Sequence, residues 1–399
     1  MRYRRDDGTI GAVNGFPTKT VAAEHATGME TDQRRGTWVD PAAGKVTVGE
    51  WTEQWFDALD VAIRTEDYYR SLLAHHILPR WGETGLAEVS TIKAAAWAKQ
   101  LRGRGYADAT VAGVMKLLSL LLADAAEERL IVANPIRARR RGRRRRTRRT
   151  ERVWATPAEA LAVADNAALL SGAGPDAAIL IVTAAWTGAR WGELVGLQRA
   201  NLHLDDAALV VDADVGALHE SSHGLHLGPP KTAESARTIA LPPFLIDLLQ
   251  AHLETHDHQH VFVTPERQLY RRSNFSRRAM RPAADGNHTR PRATERLDPV
   301  KPGLTFHGLR HSHKTWMIAD GIPEIAQAHR LGHILGDKIQ QTYSHVATEV
   351  ERRMLDAVAE RWGKAVADRG IDAAWREEVL RRAPDCARTH GTGRRGGQP

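Results

Sequence analysis

The sequence predicts a mainly helical protein with a small antiparallel β-sheet, an α+β class, on three observations. Apolar residues recur at helical spacing, as Trp51, Trp55 and Leu59 do at i, i+4 and i+8. Two short apolar runs, 207–211 and 237–241, read as strands separated by a loop-rich segment. An arginine run, RARRRGRRRRTRRTER at 137–152, follows the stop signal Asn134-Pro135 and divides the chain into two folded regions.

Residues 1–43 are polar and glycine-containing, with a short sheet fragment around DGTIGAV and a turn-forming DPAAGK at 40–45. Region 44–136 is helical. Thr47 caps the Trp51–Leu59 helix, and a second helix covers Asp67–Ile77 and stops near Pro79. A third runs from Ser90 to Arg102, closed by Gly103. The fourth, Asp108 to Arg129, carries the stripe Val111, Met115, Leu118, Leu122 and Ala125. Beyond the linker, 153–365 forms the larger unit. Thr156 caps its first helix, with Pro157 at the first helical position. Residues 176–186 are an apolar helix, Thr187-Gly188-Ala189 a turn, and Arg190 starts the next helix. Lys231 sits on or beside a β-turn in GPPKT. From Leu304 the chain is helical again, ending in the stripe Val350, Met354, Val358 and Trp362, either a core helix or an oligomer contact. Composition makes 366–399 a disordered tail.

Composition narrows the function. A formal charge of +8 over 399 residues favours a polyanionic partner, nucleic acid above all. Cys386 is the single cysteine, so an intrachain disulfide framework and a cysteine-based zinc site are excluded and a reducing compartment is expected. Neither an apolar run of membrane-spanning length nor a signal-peptide core is apparent, which predicts a cytoplasmic protein. No G-x-x-x-x-G-K-[ST] phosphate loop is present. The cluster His252, His256, His258 and His260 reads as a solvated helix end, without the partners a metal site needs.

Several residues carry possible chemistry, each with an ordinary structural alternative. His307 and Arg310, three apart, share one helical face, where a guanidinium fork can hold a phosphate oxygen while an imidazole moves a proton. A lone H-x-x-R pair is weak. Arg190 opens a helix, where the dipole favours an anion, but Glu193 lies one turn on and would pair with it. His333 could cap a helix, and Tyr343, ten residues later, could be a packed core tyrosine. His313, in register with Leu309 and Trp316, reads as structural.

Taken together, TGARWGEL, PPKTAESARTIALP, HGLRHSH and LGH with a tyrosine ten residues on resemble the tyrosine recombinase (phage integrase) family over about 155–362. RRGTWVDPAAGKVTVGEW is similar to integrases of actinobacterial integrative plasmids and phages. The resemblance implies a helical core-binding (SAM-like) domain and a catalytic domain forming a clamp around DNA, with 1–43 the remnant of an arm-binding domain. It makes Arg190 and Arg310 the clamp on the scissile phosphate, Lys231 the proton donor to the leaving 5′ oxygen, and His307 and His333 proton or hydrogen-bond donors. Glu193 supports the site and Tyr343 is the nucleophile. It implies no cofactor and no metal, since cations stand where magnesium acts in many nucleases. Implied partners are double-stranded DNA attachment sites, a homotetramer at synapsis with a monomer or weak oligomer when free, an excision factor, and no membrane. The linker arginines Arg139, Arg140, Arg141, Arg143, Arg144, Arg145, Arg146, Arg148 and Arg149 would contact phosphates. Type IB topoisomerase chemistry and a non-catalytic DNA-binding relative are the competing functions.

Overall fold

The computed structural model describes residues 1–4, 8–36, 38–136, 151–170, 173–290, 295–333, 346–370, 375 and 377. It divides into two compact units, Met1–Thr147 and Arg148–Pro399.

In the first unit, β1 (Arg2–Arg4) pairs antiparallel with β2 (Ile10–Ala12), and α1 (Lys19–Arg34) follows, capped by Thr18. The sheet fragment expected around DGTIGAV is β2 of this pair; the helix after it has no counterpart in the sequence expectation. The helical core then begins. Thr47 and Glu50 form a reciprocal capping box at the start of α2 (Val48–Asp57), satisfying two end N–H groups. Trp51 and Trp55 anchor that helix, their indole N–H groups donating to Leu121 O at 2.9 Å and Asp124 Oδ2 at 2.6 Å. Pro79 does not end the second helix. The helix α3 (Ile63–Leu72) widens into a π turn at Leu73–Ile77, with Leu78 N–H donating to Leu73 O, and continues as α4 (Leu78–Trp81). Pro79 thus falls in the first turn after a break in the ladder, where its missing N–H costs little. α5 (Thr91–Gly103) and α6 (Asp108–Glu127) complete the bundle, whose core includes Trp81, Trp97, Val111, Leu118 and Leu122. By length and composition α6 could cross a membrane, contrary to the sequence expectation, but its apolar face is packed in this core.

The second unit opens with α7 (Pro157–Ala168), again held by a capping box, Thr156 with Glu159. α8 (Gly174–Thr187) lies against it and is buried almost end to end. A short α9 (Trp191–Val195) leads to the sheet. There β3 (Leu202–His203), β4 (Ala208–Val211) and β7 (Arg237–Ala240) lie in the order β3-β4-β7, antiparallel, with Val211 opposite Arg237. The segment expected to be loop is instead a second hairpin, β5 (Ala217–Ser221) and β6 (Gly224–Gly228). Its polar, histidine-rich sequence hides the alternation that would have marked strands. α10 (Pro243–Leu253) follows, then α11 (Arg272–Phe275), which passes through a π turn at Ser276–Met280 into α12 (Arg281–Asp285). α13 (Phe306–Ala319), α14 (Glu324–Leu331) and α15 (Thr348–Ala367) close the fold.

Trp186 of α8 sits at the centre of this core, its ring 5.2 Å from those of both Trp316 and Trp362. Trp362 also stacks on Phe244 at 4.3 Å. The Val350–Trp362 stripe therefore packs within its own unit, the core-helix alternative. The tail expected from 366 is corrected in part. α15 runs to Ala367, Arg369 pairs with Asp165, and Trp375 is 1% exposed with its Nε1–H on Asp165 Oδ1 at 2.7 Å. One tryptophan brings enough apolar area to be buried even where the surrounding composition reads as tail.

Candidate active site

The site is assembled from chain turns that only small residues permit. Gly188 ends α8 in the left-handed region, φ 67°, and a Cβ there would lie 2.7 Å from the Leu331 side chain and 2.8 Å from His313. This turn delivers Arg190 to the N-cap of α9 in extended backbone. Glu193, one turn later, accepts the Arg190 backbone N–H at 2.8 Å and its Nη1–H at 2.7 Å. Arg190 also donates to Ser235 Oγ and to Gly332 O, both at 2.8 Å. The ion pair that was the ordinary reading of Arg190 thus exists. It orients a guanidinium that has further partners.

Arg310 projects from the second turn of α13, whose start is capped by Thr305, and is 3% exposed. It donates to Gly188 O at 2.6 Å and to Leu331 O. Burial, then the charge of Arg190, lowers its pKa to about 9, so it stays protonated at neutral pH. Arg237 donates to Arg330 O at 2.7 Å. The carbonyls of Arg330 and Leu331 at the end of α14, and of Gly332 just after it, are thereby held by three different arginines. Such end carbonyls lack helical partners and carry the negative end of the dipole, so they draw cations.

The electrostatics follow from this density of positive charge. Burial alone would raise the Glu193 carboxyl; the charge and hydrogen bond of Arg237 and the hydrogen bonds from Arg190 outweigh it and hold the group below its ordinary value. His333 follows Gly332 directly and reaches the surface. Partial enclosure of its ring, then the charges of Arg310 and Arg190, push it down to about 4. His307, in the first turn of α13, is lowered to about 4 by enclosure and then by His311 and Arg310. Its ring meets that of His311 edge-on at 4.7 Å. Both histidines are neutral at physiological pH, able to donate one proton and accept another. An incoming phosphate would reverse the pull of the cations on them.

The structure gathers Arg190, Glu193, Arg310 and the backbone leading into His333. Lys231 stays exposed beyond β6, in the loop that leads to Ser235. Tyr343 and the linker arginines from Arg139 to Arg149 lie outside the described residues. His313 is buried, its Nδ1 on Ala185 O at 3.0 Å and its Nε2 accepting from Arg330 Nε at 2.9 Å, a structural role as expected. The solvated reading of His252 is wrong: it is fully buried, with Nε2 on Val261 O at 2.8 Å, because α10 turns that end into the core. Among the described residues no group of three or more His, Cys, Asp or Glu side chains could hold a metal ion. Sequence reasoning missed Arg237 and Ser235. Both stand in PPKTAESARTIALP, and Arg237 opening an apolar strand was the available signal.

Residues 156–350 match the model of the phage integrase family. This part of the chain is a phage integrase domain. The chain is a tyrosine-type site-specific DNA recombinase. It is 27% identical over 365 residues to a prophage protein of Mycobacterium tuberculosis, phiRv2 integrase by name, a match covering 88% of this chain and 90% of the relative. The fold is similar to that of the Tn1549 transposon integrase in complex with transposon right end DNA, with TM-score 0.59, 19% identity, and 78% and 99% of the two chains covered. It is also similar to that of a lambda integrase tetramer bound to a Holliday junction, with TM-score 0.53, 19% identity, and 86% and 92% covered.

Proposed function

We propose that this integrase cleaves and rejoins DNA at attachment sites through a 3′-phosphotyrosine on Tyr343, integrating or excising a mobile element. The observation that carries the reading is the convergence of Arg190 and Arg310 on the carbonyls of Gly332 and Leu331, immediately before His333. Two guanidiniums fixed in advance can take the non-bridging oxygens of a phosphate without reorganising. The phenol oxygen of Tyr343 attacks phosphorus, the bond to the 5′ oxygen breaks, and Lys231 supplies the proton that oxygen needs. The phenol proton passes to a neutral histidine, His307 or His333. Glu193 orients Arg190. Because the phosphotyrosine keeps the energy of the broken diester, attack by a 5′-hydroxyl reverses each step and rejoins the strands. The partner is double-stranded DNA in the cytoplasm, and the synaptic assembly is a homotetramer with an excision factor setting direction. The linker arginines contact phosphates.

Tyr343→Phe should bind attachment-site DNA with unchanged affinity and form no covalent adduct on a nicked suicide substrate. Adduct at the parent's yield would exclude Tyr343 as the nucleophile.

A further inference from the structure

We propose that Arg237 is a positioning residue for this reaction, binding Glu193, the Lys231 loop and the end of α14 into one frame that sets Arg190 against the phosphate. The proposal rests on the strand-cleavage reading above. Arg237 lies at the start of β7, opposite Val211, so the sheet fixes its backbone. Its side chain is 7% exposed. Three acceptors on three separate elements meet it: Arg330 O at 2.7 Å, Ser235 O at 2.7 Å and Glu193 Oε2 at 3.0 Å.

Those contacts parallel the ones that hold Arg190. Arg190 is bound by Glu193 Oε1, Ser235 Oγ and Gly332 O. Arg237 takes the other carboxylate oxygen of Glu193, the backbone of the same serine, and the carbonyl two residues before that glycine. Each group that aims Arg190 is therefore aimed in turn by Arg237. A planar fork with five donors can reach three acceptors in different directions; a lysine ammonium cannot reproduce that geometry. The packing leaves no slack either. A Cβ on Gly332 would stand 3.0 Å from Arg237 Nη1 and 2.9 Å from Glu234 O.

A purely structural Arg237 would stabilise the fold and nothing more, and the experiment separates the two. Covalent-adduct formation on the suicide substrate is measured for the full chain, Arg237→Gln and Arg237→Lys, normalised to folded protein by thermal melting, with DNA affinity measured alongside. Arg237→Gln should lose roughly 10- to 100-fold in adduct rate per folded molecule, a small misplacement being enough for that, while affinity is retained. Arg237→Lys should recover only part of the rate.

The pH profile gives a second readout. Glu193 is faced by Arg190 from the start of α9, Arg237 from β7 and Arg310 from α13. Without Arg237 the burial of the carboxyl is less fully offset and its pKa rises, so the deficit of Arg237→Gln relative to the parent should deepen as pH falls. A lower melting temperature with parental adduct rate per folded molecule and a parental profile would overturn the proposal. A parent that forms no adduct would overturn the cleavage reading along with it, whereas parental rates in both variants would remove Arg237 alone.

Discussion

His313 shows how the fold fixes a protonation state one side chain at a time. With Nδ1 on Ala185 O and Nε2 accepting from Arg330, it has no place for a second proton. Burial, then the charge of Arg330, places its pKa well below 6.5. A folded-state value below the unfolded one gives stability that is present above pH 6.5 and is lost as pH falls below it. His313 should therefore make unfolding free energy decline on acidification by at most about 1.4 kcal/mol per pH unit. His307, His311, His333, His256 and His260 are lowered too and add to the same slope. His313→Gln should flatten the denaturant-measured slope below pH 6.5 relative to the parent; equal slopes would refute the assignment. At this scale the sequence was legible where spacing along one helix dictates a contact, as with the ion pair of Arg190 and Glu193. Arg237 was not, since two of its three partners, Glu193 and Arg330, come from distant elements, and nothing in its neighbourhood along the chain announces them.

Elements were legible where local signals were complete. The caps at Thr47 and Thr156 and the apolar stripe on α6 mark their helices in the sequence itself. The continuation past Pro79 was not, because a π turn is a choice of packing and leaves no mark in periodicity. The stripe on α15 was ambiguous in sequence since an apolar face cannot say whose surface covers it. Its placement against Trp186 and Phe244 leads to a test: Trp362→Ala should destabilise the protein by about 3–5 kcal/mol, the range for emptying a buried tryptophan site. The loss, read from denaturant melts, should not vary with protein concentration. A concentration-dependent loss would return the stripe to an intermolecular role.

For the whole molecule, charge is distributed in two ways that do different work. Arg190, Arg237 and Arg310 are bound by carbonyls, and the first two also by the Glu193 carboxylate, so their positions are set by the fold. The linker run from Arg139 to Arg149 has charge at a density that suits phosphate neutralisation at any sequence. Replacing four of these by glutamine should reduce the slope of log affinity against log salt by about one for each phosphate no longer neutralised, with site preference intact. An unchanged slope would make the run a spacer. The end of α14 imposes the opposite economy. Arg237, Arg310 and Arg190 hold three successive carbonyls, so the helix end serves as a common anchor and none of the three can be re-aimed alone. Drift in any one is opposed by the other two, because the carbonyls that hold them are spaced by consecutive peptide units, a length that side-chain substitution elsewhere leaves untouched.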